Sequence, residues 1–342
     1  MKAVRFHQHG GLDVLKFEDA PEPKIADNEI LVQVKACALN HLDLWLRKGV
    51  PSWPLGMPHI LGSDIAGVVA SAGPLVKRVK TGDRVLLAPG ISCGQCEMCF
   101  KGLDSACRSY TLFGVLVDGG YAEYVKSAEP NVIPIPPDFG FDEAAAVPLV
   151  FLTAWHMLIT RAQVKPGEEV MVIGAGSGVG SAAIQIAKRM GARVIAVAGT
   201  DAKLEKARRL GADETINHQK QSIADEVKRL TAKRGVDAIV EHVGAAVWEA
   251  CFASLATYGR LVTCGVTSGG DVKLDLQSLF GRQRALLGSF MGGKGELMDV
   301  LKLVFRREVK PVIDSTFALR DAAAAQAKME SRDFFGKILL EA

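Results

Sequence analysis

The chain has no long apolar run, no block of like charge, no internal repeat and no low-complexity linker. Each absence excludes something. No stretch approaches the ~20 apolar residues that span a bilayer, so no transmembrane helix is expected. The 41 basic and 38 acidic residues are interspersed and leave a net charge of +3. No basic arm or patch therefore favours nucleic acid. The opening MKAVRFHQHGG has one early lysine but no apolar core and no cleavage site, so a secretory leader is not expected. The expectation is a cytoplasmic protein that binds neither membrane nor nucleic acid.

What is present is apolar and long. With 342 residues, 49% of them hydrophobic, the chain exceeds one ordinary domain, and two are expected. The first 145 or so residues hold short apolar runs broken by Gly, Pro, Asn and Asp. EILVQVKACAL, SDIAGVVASAG and GDRVLLAP read as strands in a β-rich domain. DEAAAVPLVFLTAWHMLIT then reads as a helix. Beyond it, strands and helices alternate from GEEVMVIGAGSGVG to RALLGSF. That alternation predicts an α/β domain with a doubly wound parallel sheet. A helix-strand-helix-strand tail follows and is expected to return to the first domain.

VIGAGSGVGSAA sits where a strand should end and a helix begin. Gly174, Gly176, Gly178 and Gly180, with Ser177 among them, allow a tight turn and close approach to a pyrophosphate. The helix N-terminus then offers free N–H groups to the phosphates. The spacing departs from G-x-G-x-x-G, because Val179 stands where the third glycine belongs and Gly180 comes one later. The βαβ context is what makes the turn a dinucleotide site. An NAD site usually places an acid at the end of the second strand. Here that strand ends in Ala198, Gly199 and Thr200, and Asp201 comes late, as a helix cap. Thr200 can donate to a 2′-phosphate and Lys203 can pair with it, so NADP(H) is expected over NAD(H). The plainer reading makes Lys203 a solvated helix lysine.

Seven cysteines are present, and four of them, Cys93, Cys96, Cys99 and Cys107, fall within one short loop. The spacing C-x2-C-x2-C-x7-C suits four thiolates closing on one Zn²⁺ with no open position, a structural site. Disulfides are the poorer reading for a chain expected in a reducing compartment.

Together with LVQVKACALNHLD, LGSDIAGVV, GDRVLL, GGYAEYV and AAAVPLVFLTAW, these motifs resemble the medium-chain dehydrogenase/reductase superfamily along essentially the whole chain. The resemblance implies a GroES-like catalytic domain over 1–149 and 291–342, carrying the zinc lobe 93–107. It implies a Rossmann domain over 150–290. Thr153, Val179, His242, Val243, Gly244, Cys264, Gly265 and Ser289 would approach the cofactor. The RALLGSF edge would form a homodimer or homotetramer by continuing the sheet.

Zinc-dependent members hold a catalytic zinc through Cys, His and either Cys or a carboxylate. By motif, those positions fall on Asn40, Ser63 and Leu149, with Asp64 in place of the usual glutamate. An amide, a hydroxyl and an alkyl chain are not useful zinc ligands. His59 does not share Ser63's position, and the proton-relaying hydroxyl falls on Leu42. The expectation is one structural zinc and no catalytic zinc, as in the quinone oxidoreductase branch. The expected reaction is hydride transfer to a quinone or α,β-unsaturated carbonyl. Asn40 and Ser63 are the candidate hydrogen-bond donors, and His41 the candidate proton source or pyrophosphate contact. Asp43 and Asp64 would orient them, and Trp45, Trp53 and Phe290 would line the pocket. The alternatives are a metal-independent alcohol or ketone dehydrogenase, and a nucleotide-binding member without activity.

Overall fold

The computed structural model describes residues 1–50 and 53–342, which divide into two compact units. The first comprises Met1–Leu149, Gly293–Phe305 and Pro311–Ala342, and the second Val150–Gly292 and Arg306–Lys310. The expected return at residue 291 thus begins at Gly293 and is interrupted once. The interruption has a local cause. Lys310 exchanges two hydrogen bonds with the Gln185 side chain, and Glu308 pairs with Arg189 at 2.6 Å, both partners lying on one helix of the second unit.

The first unit begins with β1 (Glu29–Ala38), helix α1 (His41–Lys48), β2 (Asp64–Ala72), β3 (Arg84–Leu87), β4 (Tyr124–Ala128) and β5 (Val132–Pro134). A small sheet of Lys2–Phe6, Lys16–Asp19 and His59–Ile60 lies beside them. β1 is rich in β-branched residues and buried along most of its length, as expected of a central strand. It pairs antiparallel with β2 over most of that length, which brings Ala38 opposite Asp64.

The second unit is built from β6 (Glu169–Ile173), α2 (Gly178–Arg189), β7 (Arg193–Ala198), α3 (Asp201–Arg209), β8 (Glu214–Asn217), α4 (Ile223–Leu230), β9 (Val236–Glu241), α5 (Ala245–Ser254), β10 (Leu255–Thr263) and β11 (Ala285–Gly288). The order β8-β7-β6-β9-β10-β11 is parallel throughout. Its central strands β6 and β7 are near-continuous apolar runs, as strands of a buried parallel sheet are. Met171, Ile195, Ile239 and Leu261 stand at the centre of that core, each without exposed surface.

The chain then returns through α6 (Lys294–Phe305), β12 (Ile313–Ala318), α7 (Ala322–Ser331) and β13 (Lys337–Glu341), which pairs antiparallel with β1. Two expectations need correction. The stretch DEAAAVPLVFLTAWHMLIT is three pieces, helical over Phe141–Ala145 and Pro148–Trp155 and π-helical over His156–Arg161. Pro148 causes the first break, because proline disfavours the helical conformation in the residue before it. β10 starts at Leu255, earlier than GRLVTCGV suggested.

Candidate functional site

The parallel sheet turns over between β6 and β9, the point where an open α/β sheet leaves a crevice at its carboxyl edge. Residues just past the strand ends meet there. The glycine turn follows β6, Thr200 follows β7, Val243 and Gly244 follow β9, Gly265 follows β10, and Ser289 follows β11. The topology thus gathers five separate stretches of sequence onto one edge.

The turn itself is tightly determined. Gly174 has a φ of +63°, and a Cβ on Gly180 would lie 2.3 Å from the Gly174 carbonyl oxygen. No side chain fits at Gly180, which explains why the glycine sits one place late. Ser177 caps α2, its Oγ accepting from the Gly180 N–H at 2.9 Å. Gly178 and Val179 are then the first helical residues, and Gly176 precedes the cap. The α2 N-terminus beside a glycine turn suits a pyrophosphate. Glu241, fully buried at the end of β9, accepts from the Val243 N–H, from the Gly244 N–H at 2.6 Å and from Thr263 Oγ1 at 2.9 Å. One carboxylate therefore fixes two neighbouring loops. His242 Nε2 lies 3.2 Å from Ser177 Oγ, and desolvation lowers its pKa. Ser289 Oγ is shielded and has no protein partner, so the edge holds a polar atom free for a cofactor. Thr153, buried, places Oγ1 3.9 Å from the Met291 sulfur.

At the end of β7, Thr200 Oγ1 caps α3 by accepting from the Lys203 N–H at 3.3 Å, which leaves its own proton to donate. Asp201 is engaged elsewhere, by Asn217 at 2.5 Å and Lys220 at 2.6 Å.

In the first unit, the positions matched to metal ligands surround a buried polar network. Asp64, wholly buried, accepts from Asn40 Nδ2 at 2.9 Å, Lys337 Nζ at 2.9 Å and the Leu149 N–H at 2.8 Å. Asp43, also wholly buried, accepts at Oδ2 from the Asn40 N–H at 2.8 Å and from Tyr121 Oη at 3.1 Å. Its Oδ1 has no partner. Burial pushes the Asp43 carboxyl up to about 6, against the pull of the Asn40 N–H and Lys337. Ser63 departs from its expected part as a donor to substrate. It is fully buried and gives its one proton to the Phe113 carbonyl at 2.7 Å. His41 opens α1 and meets Trp45 edge to face at 5.2 Å. His59 is buried within 3.0 Å of the Gly114 carbonyl and takes no part in the network. Trp53 is half-buried, and Phe290 is exposed, in the second unit.

The four cysteine sulfurs of the lobe all lie within 4.8 Å of one another. Three separations are 3.5, 3.5 and 3.9 Å. A zinc tetrahedron with bonds of about 2.3 Å puts its sulfurs about 3.8 Å apart, so the donor set fits the ion. The Gln95 N–H helps lower the Cys93 thiol to about 6, whereas the Cys99 thiol, against the pull of the Cys99 N–H, pushes Cys96 up to about 11. Among the described residues this is the one cluster of three or more His, Cys, Asp or Glu groups that could hold a metal ion.

Sequence reasoning missed Lys337, Glu241 and Tyr121. A charge inside VDAIVEHVG and another opening KILLE were the available signals. Their partners were beyond reach, since Lys337 and Asp64 stand 273 residues apart.

A dinucleotide edge joined in one chain to a four-thiolate lobe defines a nicotinamide-dependent oxidoreductase. The comparisons agree. Residues 26–137 match the alcohol dehydrogenase GroES-like domain, and residues 178–306 match the zinc-binding dehydrogenase model. The chain belongs to the medium-chain dehydrogenase/reductase superfamily. It is 34% identical to an alcohol dehydrogenase of Geobacillus stearothermophilus over 88% of both chains. It is 31% identical to the quinone oxidoreductase of Homo sapiens, over 95% of this chain and 92% of that one. A solved NAD-dependent alcohol dehydrogenase superposes with a TM-score of 0.96 at 44% identity, over the full length of both.

Proposed function

We propose that this chain transfers a hydride between NADP(H) and a quinone or α,β-unsaturated carbonyl without a catalytic metal. One observation carries the reading. The three positions where the family binds catalytic zinc hold Asn40, Ser63 and Leu149, and Asp64 beside them is already committed to Asn40, Lys337 and the Leu149 backbone. A bound nicotinamide supplies the hydride. The chain must then steady the charge that develops on the substrate oxygen. In a quinone or enone that charge is delocalised, so a hydrogen-bond donor suffices where a simple ketone would call for a Lewis acid. Asn40 Nδ2 is that donor. One of its hydrogens is held by Asp64, and the other has only the Ala38 carbonyl at 3.5 Å, the edge of hydrogen-bonding range. His41 delivers the proton that completes the reduction. Ser63 serves the fold of the site, not the substrate.

The absence of an acid at the end of β7, the free Thr200 proton and Lys203 one turn on support NADP(H). The lobe holds one structural zinc per chain, in the reducing cytoplasm where its thiols stay free. The β11 edge, paired only with β10 among the described residues, continues the sheet into a second copy.

A second reading, a metal-independent alcohol or ketone dehydrogenase, is favoured by the 44% identity to an alcohol dehydrogenase structure. Steady-state assays with NADPH and NADH at equal concentration, across quinones, enones and secondary alcohols, separate the two. Quinone or enone turnover with better use of NADPH is expected. Alcohol oxidation alone gives the second reading, better use of NADH overturns the cofactor assignment, and tight cofactor binding without turnover makes the chain a binding protein.

A further inference from the structure

Lys337 opens β13 with only 3% of its surface exposed. A buried ammonium is tolerable only where its hydrogens find acceptors. All three do: the Leu39 carbonyl at 2.7 Å, Asn40 Oδ1 at 2.7 Å and Asp64 Oδ2 at 2.9 Å. Asn40 Nδ2 donates to that same Asp64 oxygen. Ammonium, amide and carboxylate therefore form a closed ring.

The ring has a chemical sense. Asn40 places its oxygen on the cation and its nitrogen on the anion. Turned over, the amide would set oxygen against carboxylate and N–H against ammonium, replacing two attractions by two repulsions. The two charges together fix which way the amide points.

We propose that Lys337 is a positioning residue that acts through Asn40. With Asp64 it locks the amide so that the second Nδ2 hydrogen is offered to the substrate oxygen. The chain's own fixed cation thus organises the amide. The inference rests on Asn40 as the donor proposed above.

K337M alone strands a buried carboxylate and risks unfolding. The informative variant is D64N/K337M, which leaves neither charge unpaired. Thermal unfolding, NADPH affinity, KM and kcat with a quinone or enone are measured for wild type, N40A, D64N/K337M and the triple variant. The double variant should stay folded, keep cofactor affinity within about twofold and KM within about threefold, and lose kcat about ten- to a hundredfold. N40A added to it should cost nothing further. Wild-type kcat in the double variant, or losses that multiply in the triple, overturns the proposal. If the wild type reduces no carbonyl substrate, the activity assignment fails separately, and the lock is read by ¹⁵N NMR. Two well-separated Asn40 amide proton shifts with a slowly exchanging Lys337 ammonium, both lost in D64N/K337M, support it. An averaged Asn40 amide in the wild type overturns it.

Discussion

Asp43 carries the clearest single-residue consequence. Its carboxyl is buried beside Tyr121 and Cys37, with Lys337 as the cation that acts on it, Asp64 as a second carboxylate and Oδ1 unpartnered. Its pKa of about 6 in the fold lies above the ordinary value of 3.8, because burial disfavours the charged form. Between those values the unfolded chain ionises while the folded chain keeps the proton. Stability therefore falls as pH rises through the window and is flat above it. A shift of that size corresponds to about 3 kcal/mol. Urea unfolding of wild type and D43N from about pH 4 to pH 7 reads it. The wild type should lose stability relative to D43N as pH rises, and parallel curves would show that Asp43 does not titrate there. The individual residues of this site were legible in the sequence, since Asn40, Ser63 and Leu149 could each be matched to a position that holds a metal ligand in zinc-dependent relatives, and Asp64 to the glutamate beside them. Their pairings were not. Ser63 looked like a donor because nothing in the sequence places the Phe113 carbonyl 2.7 Å away.

At the scale of elements, the glycine turn and α2 were readable because local chemistry dictates them. Ser177 caps the helix through the Gly180 N–H, and the apolar face of α2 repeats at helical spacing. The late glycine was legible as an anomaly, but only the fold shows its reason. G180A must move backbone, because the new Cβ would sit 2.3 Å from the Gly174 carbonyl. Overpacking of that kind costs about 1–3 kcal/mol. Helix and turn should part, spoiling the N–H groups offered to the pyrophosphate. Cofactor titration by fluorescence should show affinity falling more than about tenfold, well beyond the effect of S177A, which removes one cap worth about 1 kcal/mol. Equal effects would mean that the close approach at Gly180 does not shape the phosphate site. The break at Pro148 was also written in the sequence, as a proline inside an apolar run. The early start of β10 was not, since its first residues follow α5 with no turn signal between them.

Across the whole molecule the cysteine lobe rests on a different foundation from the apolar cores of the two units, and metal analysis exposes the difference. The second unit is a continuous apolar core under a parallel sheet. The cysteine lobe is not. Cys93 is exposed, Phe100 is 79% exposed and Leu103 45%, so little apolar burial holds its loop in place. Four thiolates this close together could close around a zinc ion, whose binding energy would then contribute directly to folding the loop. Elemental analysis should give one zinc per chain. Two would restore a catalytic metal and remove the ground on which Asn40 is assigned as donor. Stripping the metal with a chelator, or blocking its binding with C107S, should lower the melting temperature and raise proteolysis within residues 93–107. NADPH binding should persist, because no element of the dinucleotide edge belongs to the unit that carries the lobe. Loss of cofactor affinity in step with zinc would mean that the lobe supports the dinucleotide edge as well as its own loop.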